Sequence, residues 1–300
     1  MLEQTVTIIA NERDTDQYFR LVLRAPQIAP LIQPGQFAHV RILPLKDALL
    51  RRPFSIFQVE GDTFSILYKT VGKGTEVLSR MRAGEELSVI APLGHGFTVP
   101  QPGGETPLLV AGGYGMAAMF LLAQRSPQKG IVFVGGRRRV DILCEKEFAA
   151  IGWEVRATTE DGSHGEKGLV TAPLLVELRS SRGNEAQTEK VESGKQKAEN
   201  SQSLLTSAAT KLKLFACGPT PMLKAVGRIA EDLNLPCELS MDEHMCCGVG
   251  TCLTCVIKVK TDDGSRRAEA QQREGGWEYQ RTCTEGPVFD SRQIVWEVAK

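Results

Sequence analysis

An excess of charge of either sign is missing from this chain: 36 lysines and arginines stand against 36 aspartates and glutamates over 300 residues. Without a basic surplus there is no electrostatic footprint for nucleic acid or for an anionic membrane surface. An export signal is missing as well, because MLEQTVTIIANERDTD carries acids where a signal peptide needs a basic start and a long apolar core. The expected compartment is the cytoplasm, where cysteines stay reduced. No apolar run is long enough to span a bilayer. The longest, LLVAGGYGMAAMFLLA, is broken by three glycines and reads as strand, turn and helix. Internal repeats are absent too. What is present is 42% hydrophobic content, ample for the cores of two or three domains in a soluble protein.

To about Pro100 the chain offers TVTIIANE, YFRLVLRA, FAHVRIL, FSIFQVE, TFSILYKT and ELSVIAP, short runs cut by proline, glycine and charged turns. Such runs predict an antiparallel sheet or barrel. GKGTEVLSRMRAGEE is the helical stretch among them. After PQPGGETP the grammar changes to strand followed by helix: TPLLVA then MAAMFLLAQRS, GIVFVGG then DILCEKEFAAIG, WEVRATTEDG, and KLFACG then PMLKAVGRIAEDLN. That alternation predicts a doubly wound parallel sheet with helices on its faces. From about Pro236 the chain is dense in cysteine and glycine. The fold class is therefore α/β plus all-β, in three units: a barrel at 1–100, an α/β domain at 101–235 and a small module at 236–300. Within the second unit, the polar stretch 180–211 has almost no aromatic content and reads as a disordered insert.

Four of the eight cysteines fall in EHMCCGVGTCLTCVIK. Cys247, Cys252 and Cys255 are separated by four and two residues, with Cys283 distant in RTCTEGPVF, which is the plant-type ferredoxin spacing for a 2Fe-2S cluster. Gly248 and Gly250 let such a loop curl tightly and leave backbone N–H groups free to face sulfur. Zinc prefers two closely spaced pairs, and here only Cys252 and Cys255 form one. Taking Cys246 in place of Cys247 would stretch the first spacing, so Cys246 is read as a spare thiol. Cys144, Cys217 and Cys237 stand alone, as buried small hydrophobes usually do.

Two turns in the α/β region have nucleotide-site features. AGGYGMAAM, with Gly112, Gly113 and Gly115, follows a strand and opens a helix, where backbone amides meet phosphate. Small residues at such a turn also serve close packing alone. FACGPTPML ends a strand at Cys217, Gly218 and Pro219 before another helix, which is equally a plain proline-marked helix entry. The acid that a dinucleotide fingerprint wants after the second strand is missing. Arg137, Arg138 and Arg139 stand there instead and would suit a 2′-phosphate.

Taken together, these features resemble the ferredoxin reductase superfamily, and within it the electron-transfer subunits of type B dihydroorotate dehydrogenases, over nearly the whole chain. RRPFSIF is similar to the family's Arg-Pro-x-Ser flavin motif, and the resemblance implies that Arg52 contacts the FAD pyrophosphate, with Pro53 and Phe54 in the motif and Ser55 beside the isoalloxazine. LYKTVGKGT resembles the second flavin element, with Leu67, Tyr68 and Lys69 along the flavin and Gly74 and Thr75 at its phosphates. APLGHGF matches the end of the family's barrel. The two turns above resemble its nicotinamide half, with Cys217 near the nicotinamide, and Asp161 and Gly162 would sit in the nucleotide cleft.

The resemblance implies three cofactors: FAD, a 2Fe-2S cluster, and NAD as substrate, chosen over NADP despite the arginines. Nicotinamide exchanges two electrons as hydride and a cluster accepts one at a time, so a flavin must stand between them. The implied partner is an FMN-containing dihydroorotate dehydrogenase subunit, in a heterotetramer of two of each, with no nucleic acid and no membrane. The chain would serve UMP biosynthesis as an oxidoreductase subunit with no dihydroorotate site of its own. Two other readings use the same residues: a reductase subunit of a sulfide dehydrogenase, hydrogenase or ferredoxin-NADP reductase type, and a non-enzymatic redox sensor or zinc module.

Overall fold

Period-two burial builds the first unit. β1 (Leu2–Arg13) turns Val6 and Ile8 inward, β2 (Tyr18–Arg24) turns Phe19, Leu21 and Leu23 inward, and both leave alternate residues toward water. They join β3 (Phe37–Arg41), β4 (Arg52–Glu60), β5 (Thr63–Lys69) and β6 (Glu86–Leu93) in a closed antiparallel barrel of order β1-β2-β5-β4-β3-β6. A short helix, α1 (Lys73–Leu78), links the last two. This computed structural model describes residues 1–15, 17–45, 50–188, 211–261 and 276–296.

The second unit is a seven-stranded sheet of order β10-β9-β8-β7-β11-β12-β15. It contains β7 (Thr106–Gly112), β8 (Ile131–Gly136), β9 (Glu154–Thr159), β10 (Glu166–Lys167) and β11 (Leu212–Cys217), all parallel. Every residue of β7 is buried, as expected of a strand covered on both faces. α2 (Met116–Arg125) and α3 (Glu145–Ala150) pack with Leu109, Val132 and Phe215 on one face. α4 (Thr171–Thr188) and α5 (Thr220–Asp232) pack with Leu108, Phe133 and Leu214 on the other. The doubly wound expectation holds. The chain winds outward from β7 to β10, then returns to add β11 on the other side of β7. That reversal makes the carboxyl ends of β7 and β11 a topological switch point, where open α/β sheets bind ligands.

Two strands from the cysteine-rich segment, β12 (Cys237–Ser240) and β15 (Val288–Asp290), extend this sheet beyond β11, β12 parallel and β15 antiparallel. The segment adds its own two-stranded ribbon, β13 (Val256–Lys260) with β14 (Trp277–Arg281). The barrel closes on the sheet domain through aromatic contact: Phe57 of β4 stacks on Phe120 of α2 at 4.5 Å, and Arg20 covers Phe57 while pairing with Glu147 of α3 at 2.6 Å.

The polar insert was expected to be disordered from residue 180, but α4 continues through Ser180 to Thr188. Leu174 and Leu178, one turn apart and fully buried, seed the helix, and no proline follows Pro173 to stop it. The rest of the insert, 189–210, lies outside the described residues. Among the described residues, no helix is long and apolar enough to cross a membrane.

Candidate functional site

At the switch point one cleft gathers residues from all three parts of the chain. Pro53, Phe54 and Ser55 of β4 and Leu67, Tyr68 and Lys69 of β5 form its barrel wall, and Gly115, Cys217 and Gly218 form the sheet-domain wall. Asp242 and Met245 come from the cysteine-rich segment. Tyr68 belongs mainly to the barrel core: its ring stacks on Phe19 and its hydroxyl donates to Asn11 at 3.0 Å.

Arg52 and Gly74, 22 positions apart, are brought together next to the cleft-lining Pro53 and Thr75. A Cβ on Gly74 would stand 2.6 Å from Arg52 Nε, so the absent side chain is what admits the guanidinium. Thr75 lines the cleft but uses its hydroxyl to close the turn, accepting from Val71 and Gly72 N–H groups at 2.9 and 3.2 Å. Gly112 and Gly115 back onto the Cys217–Pro219 turn. A Cβ on Gly115 would collide with the Cys217 carbonyl, and one on Gly112 would stand 2.9 Å from Pro219. The two turns are therefore packed against each other, and Gly113, with φ +55°, faces open space. Burial pushes the Cys217 thiol up to about 12, so it sits beside the cleft as a neutral thiol, not a thiolate nucleophile.

Several residues here carried no sequence signal. Asp141, after the arginine run, is buried and accepts the Tyr18 hydroxyl at 3.1 Å and the Arg138 N–H at 3.2 Å, with Lys69 Nζ at 3.6 Å. It anchors the cleft-lining lysine to the sheet domain. Arg139 pairs with Glu145 at 3.0 Å, and the Arg137 and Arg138 side chains are exposed. Asp161 accepts the Ser163 N–H and hydroxyl within its own turn, and neither it nor Gly162 lines the cleft. Tyr114 lines the cleft and donates to Asp242 at 3.0 Å.

The cysteine loop lies directly behind the cleft. Backbone N–H groups of Val249, Thr251 and Cys252 converge on Cys247 Sγ at 3.4, 3.3 and 3.4 Å, the arrangement that stabilises a thiolate. Gly248 and Gly250 both adopt left-handed φ, +71° and +83°, which makes this curl possible. The Gly250 carbonyl accepts from Arg281 Nη1 at 2.9 Å, and Arg281 in turn grips Glu285, so the loop is tied to the turn bearing Cys283.

The thiols stand in two contacting pairs, Cys247 with Cys252 and Cys255 with Cys283. Cys246 also touches Cys252. Among the described residues, no three His, Cys, Asp or Glu side chains are grouped around a single point as one metal ion would require. Two pairs match a two-iron cluster, one pair to each iron. Hydrogen bonds from Thr254, then Cys247, pull the exposed Cys252 thiol down to about 6, while burial pushes Cys283 up to about 12. Metal binding must therefore displace a proton from Cys283.

Phe37 joins the two regions. It packs against Cys255, Cys283 and Leu93 on one side and lines the cleft on the other. Two positions along β3, His39 lies under the loop at Gly248. Burial, then the charge of Arg51, lowers His39 to about 4, so its ring is neutral at pH 7.

The sequence model described as the iron-sulfur cluster binding domain of dihydroorotate dehydrogenase B matches residues 242–295, which include all four spaced cysteines. The dihydroorotate dehydrogenase B (NAD(+)) electron transfer subunit of Desulforamulus reducens is 36% identical over 278 residues, covering 91% of this chain and 90% of that one. The chain belongs to the family of dihydroorotate dehydrogenase B electron transfer subunits. The Bacillus caldolyticus member is 33% identical over 299 residues, 97% of this chain and 98% of that one. The family likeness therefore runs through barrel, sheet and cysteine segment alike. In fold, the chain is similar to the NADH-dependent reduced ferredoxin-NADP oxidoreductase studied for flavin-based electron bifurcation, at a TM-score of 0.70 and 22% identity over 97% of this chain and 90% of that one.

Proposed function

We propose that this chain carries electrons from an FMN-containing dihydroorotate dehydrogenase subunit through a 2Fe-2S cluster and FAD to NAD+, in pyrimidine biosynthesis. The observation that carries this reading is the adjacency of the two thiol pairs to the cleft, with Phe37 common to both. When bound, FAD supplies the exchange between hydride and single-electron transfer.

In this reading 1–100 holds FAD, 101–235 holds the nicotinamide dinucleotide and 236–300 holds the cluster. Arg52 neutralises the flavin pyrophosphate beside Gly74, while Ser55, Leu67 and Lys69 line the ring. Gly112, Gly113, Gly115, Gly218 and Pro219 form the dinucleotide turns, and the buried Cys217 thiol borders the nicotinamide. Phe37, Phe54 and Met245 keep water from the space between flavin and cluster. Cys247, Cys252, Cys255 and Cys283 are the cluster ligands. Cys252 is the exposed member of the four and would present a bound cluster to a partner's surface. The assembly is a heterotetramer of two subunits of each kind, working in the cytoplasm, where all eight free thiols stay reduced.

The electron count closes: dihydroorotate gives up two electrons and two protons, and NAD+ takes two electrons and one proton. Co-expression with an FMN-type dihydroorotate dehydrogenase subunit tests the reading. The expected result is a co-purifying complex that reduces NAD+ with dihydroorotate, while this chain alone does not. Failure to associate with that subunit, or dihydroorotate oxidation by this chain alone, would contradict it.

A further inference from the structure

His39 is fully buried on β3, paired across the barrel with Pro53 on one side and Ile90 on the other. Neither ring nitrogen has a hydrogen-bond partner among the described residues. The polar groups that face the ring are the backbone carbonyls of Cys247 and Arg51, and neither meets hydrogen-bond geometry. An imidazole carries at least one N–H, and leaving that donor buried and unpaired is costly. A leucine would fill the same hole without that cost, so the imidazole implies an acceptor.

The loop above is shaped to admit it. Gly248 follows Cys247, and a Cβ there would run into the ring, meeting Nδ1 and standing 2.9 Å from Cε1. The ring therefore lies against the part of the loop where three backbone N–H groups already converge on Cys247 Sγ. His39 sits on the strand that also carries Phe37 into the cleft.

We propose that His39 is a positioning residue for the cluster, donating a hydrogen bond to sulfur at the Cys247 corner and so raising the cluster's reduction potential. The inference rests on the cluster assignment proposed above. A donor to sulfur stabilises the extra negative charge of the reduced state, so its loss makes reduction harder.

The test is an EPR-monitored redox titration of the full-length protein, unsubstituted and as His39→Leu and His39→Gln, after iron and sulfide analysis of each. At the ambient potential that half-reduces the unsubstituted cluster, His39→Leu is expected to show a reduced-to-oxidised ratio about tenfold lower, which is about 59 mV for a one-electron couple. His39→Gln, which keeps an N–H, is expected to stay within about threefold. A His39→Leu ratio equal to the unsubstituted one overturns the proposal, as does a His39→Gln shift as large as that of His39→Leu. If His39→Leu loads no iron, His39→Gln decides: loaded and within about threefold supports the donor role, and unloaded or shifted tenfold defeats it. Absence of a 2Fe-2S signal from the unsubstituted protein would instead be a failure of the cluster assignment itself.

Discussion

Cys283→Ser is expected to reduce bound iron from about two per chain to a small fraction of that and to slow dihydroorotate-driven NAD+ reduction by at least about a hundredfold. Cys283 is buried beside Cys255, and a serine oxygen in its place is a harder, weaker ligand for iron than thiolate. NADH oxidation by a small dye uses the flavin alone, so that activity should stay within about twofold in the same variant. Cys246→Ser provides the contrast. The backbone N–H groups converge on Cys247 and not on Cys246, so this variant should keep its iron and its coupled activity. Iron analysis and the two assays, run side by side, check both. Loss of iron in Cys246→Ser with retention in Cys283→Ser would reverse the ligand assignment.

Arg52→Ala should weaken FAD binding by about 10–100-fold, the equivalent of the 1.5–3 kcal/mol typical of hydrogen bonds to a charged group. The guanidinium lies against Gly74, where the two stretches proposed to hold the flavin meet. Gly74→Ala acts on the same point from the other side, since its methyl would stand 2.6 Å from Arg52 Nε. Its effect should be smaller, because an arginine head group can shift. Fluorescence titration of the flavin-free protein with FAD measures both. An Arg52→Ala affinity within about twofold of the unsubstituted protein would remove Arg52 from the flavin site.

Local pattern revealed the parts of this molecule, and distance in sequence hid how they meet. Period-two runs before Pro100 marked the barrel strands, and the strand-helix alternation marked the doubly wound sheet, because each element buries its own apolar face. The Cys247, Cys252, Cys255 spacing is equally local. By contrast, the contact of Phe37 with Cys255 and Cys283 joins residues more than 200 positions apart, and no motif announces it. A lone histidine in FAHVRIL gives no hint that it lies under Gly248. No local pattern marks Asp141, which the fold buries against Tyr18 and Lys69. The Tyr114 hydroxyl, likewise, meets Asp242 only once the cysteine-rich segment folds back onto the switch point. The composition of 180–188 argued for disorder, and the buried Leu174 and Leu178 upstream overrode it by extending α4.

If one chain couples a nicotinamide dinucleotide to an iron-sulfur cluster through a flavin, NADH alone must reduce both groups. Anaerobic titration of the purified protein with NADH, followed by absorption and EPR, tests it most directly. The expected result is bleaching of the flavin band, then the EPR signal of a reduced 2Fe-2S cluster, with about two irons and two sulfides per chain. A flavin that NADH does not reduce, or a single bound metal ion in place of the cluster, would contradict it.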